Sequence, residues 1–137
     1  MVYVDSNIFI YSVASKSDKL STLSKNILIQ IAEGHLDAVT SVLTWDEFIW
    51  IAKKTLGQRL AEIEGSKFLN MPNLKFVAAD EFVVREAQKI VEKYKLKPRD
   101  AIHAATAVVH SIEKILSDDP DFDIIKELKR VPIEKFK

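Results

Sequence analysis

Short apolar runs alternate with amphipathic stretches along this chain, and this alternation constrains the fold more than any other feature. Residues 2–4, 38–42, 74–78 and 115–117 are rich in β-branched and aromatic side chains and predict buried strands. A fifth run, residues 131–133, contains a proline and is predicted as an edge strand, where proline is tolerated. Strands that alternate with helices predict an α/β fold, with a central, mostly parallel sheet of four to five strands covered on both faces.

The predicted helices carry start and stop signals. A helix that begins at Thr44 is expected to end before Gly57, and another is expected over residues 58–69. Asp80 is the expected N-cap of a later helix, and Pro98 is expected to open the last one. Alanines along that last helix indicate close packing against the sheet or a neighbouring helix.

The length and composition narrow the class of protein. We expect the 137 residues to form one domain, residues 1–137, and the apolar fraction of 47% and charged fraction of 29% are typical of a globular protein. No apolar stretch could span a bilayer and the N-terminus lacks a signal-peptide pattern, so we expect a cytoplasmic protein without a membrane partner. The absence of cysteine excludes disulfides, thiolate zinc sites and a cysteine nucleophile. A formal net charge of zero argues against a large basic surface for nucleic acid, but not against a local basic rim.

Four acidic residues lie where the pattern of strands and helices changes. Asp5 ends the first strand and Asp119 follows the fourth, while Glu47 and Asp100 lie near the starts of two helices. In a parallel sheet the functional crevice lies beyond the carboxyl ends of the strands, so one pocket can hold all four carboxylates. Concentrated carboxylates repel one another unless a cation neutralises them, and oxygen ligands favour Mg²⁺ or Mn²⁺. The pattern therefore predicts a metal site with the chemistry of phosphodiester cleavage.

Local roles explain the same acidic residues one at a time. Asp5 would be a good N-cap for the helix that follows it. Thr44 and Glu47 have the spacing of a capping box, in which Glu47 would accept a hydrogen bond from the Thr44 amide. Asp100 would be favoured in a first helical turn by the helix dipole. Independent caps, however, have no reason to gather at one end of a sheet.

His103 allows two interpretations. It follows Asp100 by three residues, so the two side chains share a helical face and a mixed metal site is geometrically possible. A histidine within an alanine-rich stripe more often packs, with one nitrogen hydrogen-bonded nearby, and we interpret His103 in this way.

Four segments of the chain resemble the motifs of PIN-domain ribonucleases, and specifically those of the VapC toxins of prokaryotic toxin–antitoxin pairs. The segments are Val-Tyr-Val-Asp5-Ser-Asn7, Ser41-Val-Leu-Thr-Trp-Asp-Glu47, Arg99-Asp100-Ala-Ile-His-Ala-Ala and Ser117-Asp118-Asp119-Pro-Asp121-Phe. They occur in the family's order and spacing and span essentially the whole chain. The resemblance implies a three-layer α/β/α PIN-like fold and a metal-dependent endoribonuclease that hydrolyses RNA phosphodiester bonds with Mg²⁺ or Mn²⁺.

The resemblance also implies a role for each acidic residue. Asp5 and Asp100 would be direct metal ligands, and Asp119 would complete the coordination shell or a second metal position. Glu47 would bind the metal directly or through water, or hold a proton. Asn7 would support Asp5.

The fourth motif leaves one assignment open. Ser117 would orient a metal-bound water or a carboxylate. Asp118 fills a position that is often neutral in the family, so it competes with Asp119 for the fourth acidic role. The register Ser117-x-Asp119 favours Asp119, and a role for Asp121 remains open.

Partners follow from the same resemblance. PIN-domain toxins form homodimers and are silenced by a small antitoxin protein that covers the acidic groove. Phe48, Trp50 and Phe68 offer apolar material for such contacts, although core packing explains the same residues. Five basic residues could contact RNA phosphates or simply be solvated: Lys16, Lys53, Lys54, Lys97 and Arg99.

Three other functions fit parts of the pattern. A PIN nuclease of housekeeping RNA processing would share every motif. A receiver-like signalling module also binds Mg²⁺, but it needs paired acids after the first strand, where Asp5 is alone. A haloacid-dehalogenase-like phosphatase needs Asp-x-Asp there, and Asn7 occupies the place of the second Asp.

Overall fold

The computed structural model describes residues 1–15 and 17–136. Lys16, one of the candidate phosphate contacts, therefore lies outside the described residues. The strands are β1 (Val2–Val4), β2 (Ala38–Ser41), β3 (Leu74–Val77), β4 (Lys114–Leu116) and β5 (Lys129–Val131). The helices are α1 (Ser6–Ala14), α2 (Asp18–Ala32), α3 (Thr44–Leu56), α4 (Gln58–Leu69), α5 (Glu81–Tyr94) and α6 (Pro98–Val109), and two 3-10 turns cover Pro120–Ile124 and Ile133–Lys135.

The strands form one parallel sheet in the order β3-β2-β1-β4-β5. The central strand β1 pairs with β2 on one side and with β4 on the other, so that Tyr3 lies opposite both Val39 and Ile115. This arrangement confirms the predicted α/β fold with a parallel sheet. A receiver-like module would have the strand order 2-1-3-4-5, so the topology argues against that alternative.

Helices cover both faces of the sheet, as the alternation of side chains along β1 requires. Tyr3 points into an apolar core shared with α5 and α6. Val2 and Val4 point to the opposite face, into a second core with residues from α1, α2, α3 and α4. The fold is therefore the predicted three-layer α/β/α arrangement.

Local signals in the sequence place several helix ends correctly. Asp80 caps α5 by accepting a hydrogen bond from the Val83 amide at 3.0 Å, and Pro98 opens α6. Gly57 separates α3 from α4 with φ 86°, a conformation that suits glycine. The small side chains of α6 are completely buried, which confirms close packing of this helix. Within the described residues, no helix is long and apolar enough to cross a membrane.

The edge strand lies earlier in the chain than predicted. It covers Lys129–Val131 rather than residues 131–133, because Pro132 has no amide hydrogen with which to continue the ladder. The next amide, that of Ile133, donates instead to the Asp118 side chain at 3.0 Å. That hydrogen bond ties the end of the sheet to the loop after β4.

Candidate metal centre

Asp5 directly follows the central strand and is almost completely buried. Its Oδ1 accepts from the Ser6 amide at 2.7 Å, and its Oδ2 accepts from the Ser117 hydroxyl at 2.6 Å. The predicted N-cap role is therefore present, and the second oxygen has a partner 112 residues away. Burial raises the pKa of Asp5, although His103 and Ser117 partly offset this effect. Ionising this carboxyl group is costly unless a further positive charge is near.

Glu47 does not form the capping box that its spacing from Thr44 allows. Helix α3 begins after Leu43 without a side-chain cap, and Glu47 turns instead toward Asp5. Its Oε2 accepts from the Ser6 hydroxyl at 2.9 Å, and its Oε1 lies 2.5 Å from His103 Nε2. Burial opposes ionisation of Glu47, but the His103 hydrogen bond and charge outweigh it and lower the pKa of Glu47. Glu47 is therefore a carboxylate held beside Asp5, because Ser6 and His103 each contact both groups.

His103 belongs to this site, which the sequence interpretation missed. The side chain is packed, as predicted, with 1% of its surface exposed. However, both ring nitrogens have partners, since Nδ1 lies 2.5 Å from Tyr3 Oη and Nε2 contacts Glu47. Nε2 also lies 3.5 Å from Asp5 Oδ1. The only sequence signal for this was the three-residue spacing from Asp100, which pointed to a ligand rather than to a partner of Glu47.

Asp100, Asp119 and Asp121 form the second half of the acidic cluster. One carboxylate oxygen from each of these residues lies within 4.8 Å of the others. Asp100 projects from the first turn of α6 and is half-buried, and burial together with the charges of Asp119 and Asp5 raises its pKa to about 6. Asp121, whose role the sequence left open, is thus placed with the predicted residues.

Asp118 points away from this cluster. Its side chain accepts the hydrogen bond from the Ile133 amide beside β5. Asp119 instead caps the following 3-10 turn, accepting from the Asp121 amide at 2.9 Å. The geometry therefore separates the two neighbouring acids, because Asp119 lies with Asp100 and Asp121 whereas Asp118 contacts the Ile133 amide.

Ser117 connects the two halves of the site. Its hydroxyl donates to Asp5 Oδ2, and it accepts from the Asp119 amide at 3.0 Å and from Asn7 Nδ2 at 3.3 Å. One donor and two acceptor positions exhaust what a hydroxyl can offer. Asn7 thus supports Asp5 through Ser117, rather than directly. Its buried Oδ1 has no hydrogen-bond partner among the described residues.

The charge and donor chemistry suit a hard divalent cation. The pKa values of both Asp5 and Asp100 are raised, so ionisation of either group is resisted by burial and by neighbouring negative charge. The available donors are carboxylate, hydroxyl and amide oxygens, which favour Mg²⁺ or Mn²⁺ over softer metals. An unpartnered buried oxygen on Asn7 adds to this oxygen-rich surface.

The candidate phosphate contacts are only partly close to the acidic groups. Arg99 Nη2 lies 3.5 Å from Asp46, and both residues line a small cavity of about 130 Å³ with Glu47 and His103. Lys97 lines another cavity together with Asp121. Lys54 instead lies over the Trp50 ring, 4.6 Å from its centroid.

Comparisons with known proteins agree with this architecture. The PIN domain family model matches residues 2–128. No curated protein matches the chain significantly by sequence. Among solved structures, the chain is similar to a toxin–antitoxin complex from Klebsiella pneumoniae, with a TM-score of 0.69 and 22% identity over 99% of this chain and 100% of that chain. FitAcB from Neisseria gonorrhoeae gives a TM-score of 0.75 with 17% identity over 99% of this chain and 100% of that chain.

A third similar structure is VapC20 from Mycobacterium tuberculosis, described as a toxin that cleaves the sarcin-ricin loop. It has a TM-score of 0.74 and 12% identity, over 90% of this chain and 93% of that chain. At such identities a structural likeness speaks for the fold alone, whereas the family model covers nearly the whole chain. With its four motifs, its parallel sheet and this match, the chain belongs to the PIN domain family.

Proposed function

We propose that this chain is a metal-dependent endoribonuclease and the toxin of a toxin–antitoxin pair. The observation that carries the nuclease proposal is the gathering of acidic groups from separate elements at the carboxyl edge of the sheet. The raised pKa values of Asp5 and Asp100 support it, because a divalent cation would relieve the cost of ionising both. In this proposal Asp5, Glu47, Asp100 and Asp119 hold Mg²⁺ or Mn²⁺, with Asn7 and Ser117 in support.

The proposed reaction is hydrolysis of an RNA phosphodiester bond by water. When bound, the divalent cation supplies an activated water and offsets negative charge on the phosphate and the leaving 3′ oxygen. Ser117 keeps Asp5 in one orientation, and Glu47, held as a carboxylate, can accept a proton or bind the ion. Because water attacks phosphorus and the bond to the 3′ oxygen breaks, the products carry 3′-hydroxyl and 5′-phosphate ends. No side-chain nucleophile is needed.

Cleavage of RNA by the purified protein tests this mechanism. Asp5→Asn and Asp100→Asn keep the size of each side chain but remove ligand charge, so cleavage should fall by orders of magnitude while the fold survives. Asp118→Asn is the matched control, since Asn can still accept from the Ile133 amide and the residue points away from the cluster. Equal cleavage in excess EDTA, or products with 2′,3′-cyclic phosphate ends, would contradict a metal-bound water as the attacking group.

The toxin role and its partners are proposed from the relatives. Similar structures include toxin–antitoxin complexes, some of them bound to DNA. An apolar groove of about 660 Å³ between α2 and α4, with the partly exposed side chains of Ile29 and Leu60 at its sides, supports contact with a partner protein. Of the aromatic residues predicted for such contacts, Phe48 and Phe68 lie in the core and only Trp50 is exposed. We propose a small antitoxin as this partner, together with a homodimer of this chain acting in the cytoplasm as a single domain.

Growth and assembly measurements separate a toxin from a housekeeping nuclease. Expression of the chain should stop growth of the host, and co-expression of an adjacent small gene should restore it, whereas Asp5→Asn should be harmless. Light scattering of the purified chain tests the dimer. If an RNA-cleaving protein is overexpressed without any effect on growth, the housekeeping role in RNA processing replaces the toxin role.

A further inference from the structure

His103 is fixed between two carboxylates, but it is neither one of the proposed metal ligands nor one of their proposed supporting residues. Nδ1 lies 2.5 Å from the Tyr3 hydroxyl, and Nε2 lies 2.5 Å from Glu47 and 3.5 Å from Asp5. The Tyr3 and His103 rings meet edge to face, with their centroids 5.6 Å apart. Neither side chain is exposed by more than 1%. A buried ring with both nitrogens engaged cannot turn without losing hydrogen bonds.

The partners of this ring decide which nitrogen carries hydrogen. The Ser41 amide donates to the Tyr3 oxygen at 3.2 Å, so the Tyr3 hydroxyl is free to donate to Nδ1. An ionised Glu47 can only accept, and therefore Nε2 must carry the hydrogen that lies between them. If Nδ1 also gains a proton, Tyr3 accepts that hydrogen and the Nε2 donor to Glu47 is unchanged. The hydrogen bond to Glu47 is therefore the same in both states of the ring.

Glu47 is consequently held at both oxygens. His103 donates to Oε1 and the Ser6 hydroxyl donates to Oε2. A glutamate side chain has several rotatable bonds, and fixing it costs conformational entropy whenever a cation binds. Here that ordering is in place before binding, and the Nε2 hydrogen faces both carboxylates at once. We propose that His103, oriented by Tyr3, is a positioning residue that fixes Glu47 beside Asp5 for the cation.

The inference rests on the proposed metal centre, and cation affinity in the absence of RNA tests it directly. His103→Leu removes the donor and should weaken Mn²⁺ binding, measured by calorimetry, by about 10- to 100-fold, the usual effect of losing a partner of a metal ligand. His103→Gln places an amide donor near the position of Nε2 and should restore binding to within several-fold of the wild type. Tyr3→Phe should weaken binding less than His103→Leu. Tyr94→Phe, the same change at a tyrosine outside the cluster, should leave it unaltered.

A double variant separates positioning from general support of the fold. If Tyr3 acts only through His103, then adding Tyr3→Phe to His103→Leu should cause no further loss of affinity. Circular dichroism and thermal unfolding establish that each variant is folded. A folded His103→Leu variant that binds Mn²⁺ as the wild type does overturns the proposal, and so does a Gln variant that is no better than Leu.

Nitrogen NMR of the cation-free protein gives a readout that does not depend on binding. The His103 Nε2 should carry a hydrogen that exchanges slowly, and that signal should shift in Glu47→Gln. An Nε2 without hydrogen contradicts the inferred donor to Glu47. If the wild type binds no cation at all, the proposed function fails, and this NMR measurement still decides whether His103 holds Glu47.

Discussion

Replacement of Asp100 by Asn should stabilise the cation-free protein while destroying the proposed metal site. Asp100 is half-buried beside Asp119 and Asp5, and its pKa is raised from 3.8 to about 6. A difference of this size corresponds to about 3 kcal/mol between the charged and neutral forms. Solvent screening of a half-exposed group reduces this, and we expect roughly 1–1.5 kcal/mol. For a chain of this length the gain corresponds to a rise in Tm of roughly 3–6 °C.

The sign of the pH dependence follows from proton binding. Between the unfolded pKa of 3.8 and the folded value of about 6, the folded protein holds the Asp100 proton more tightly than the unfolded chain. The free energy of unfolding therefore falls as pH rises through this window, and the destabilisation is complete above pH 6. Asp100→Asn lacks this titration, so its advantage should be large at pH 7.5 and should disappear below about pH 4.

Urea unfolding at several pH values, with and without Mg²⁺, measures both effects. At a Mg²⁺ concentration of one hundred times Kd, the wild type should gain about 2.7 kcal/mol of unfolding free energy and the Asn variant should gain none. With Mg²⁺ the wild type should therefore be the more stable protein, whereas without it the variant should be. Asp123→Asn is the control with the opposite sign, because Asp123 pairs with Arg130 at 2.8 Å and its pKa is lowered. An Asp100→Asn variant less stable than the wild type at pH 7.5 without metal would refute the reasoning.

Three further substitutions probe the support of the site and the helices around it. Ser117→Ala removes the only side-chain donor to Asp5 Oδ2 among residues 1–15 and 17–136. The free energy of unfolding should therefore fall by about 1–3 kcal/mol and Mn²⁺ affinity should fall with it, as urea unfolding and calorimetry can show. Gly57→Ala should cost about 1–3 kcal/mol, measured by the same unfolding assay, because φ 86° and ψ 169° suit only glycine although the space is open. Gly65→Ala should change stability by less than about 1 kcal/mol, because the one close contact of the added Cβ is with the end of the Ile49 side chain at 2.8 Å, Trp45 Nε1 lies at an ordinary 3.7 Å, and the helix gains from alanine. A Gly65→Ala variant as damaged as Gly57→Ala would show that Ile49 cannot move aside.

Local patterns predicted the parts of the fold that depend on local chemistry. The strand runs, the Asp80 cap, the Pro98 start and the break at Gly57 are each set by residues within one or two turns of the feature. The predicted edge strand lies too late in the chain, because Pro132 ends the ladder directly after Val131. The next amide, that of Ile133, donates to the Asp118 side chain instead.

The site shows the limit of such patterns more clearly. Glu47 has the spacing of a capping box, yet its partners are Ser6 and His103, far away in sequence. The alanines beside His103 in the sequence predict a packed side chain. Its partner Tyr3 is 100 residues away, and no local pattern predicts that contact. The sequence could place these acids at one edge of the sheet, but it could not say which side chains would hold them there.

The position of β1 in the middle of the sheet has a consequence for the order of events during synthesis. Asp5, Glu47 and Asp100 are made before β4, yet β4 is one of the two strands that pair with β1, and it brings Ser117 to Asp5. A ribosome-bound chain of about one hundred residues therefore carries three of the four proposed ligands without the strand that completes the crevice. The contacts between β1 and β4 join residues more than one hundred positions apart and form only after β4 has been made. The proposed RNA cleavage should therefore begin only after the last strands have left the ribosome. The proposed antitoxin, if it is translated nearby, would then have that interval in which to meet the chain before the proposed activity begins.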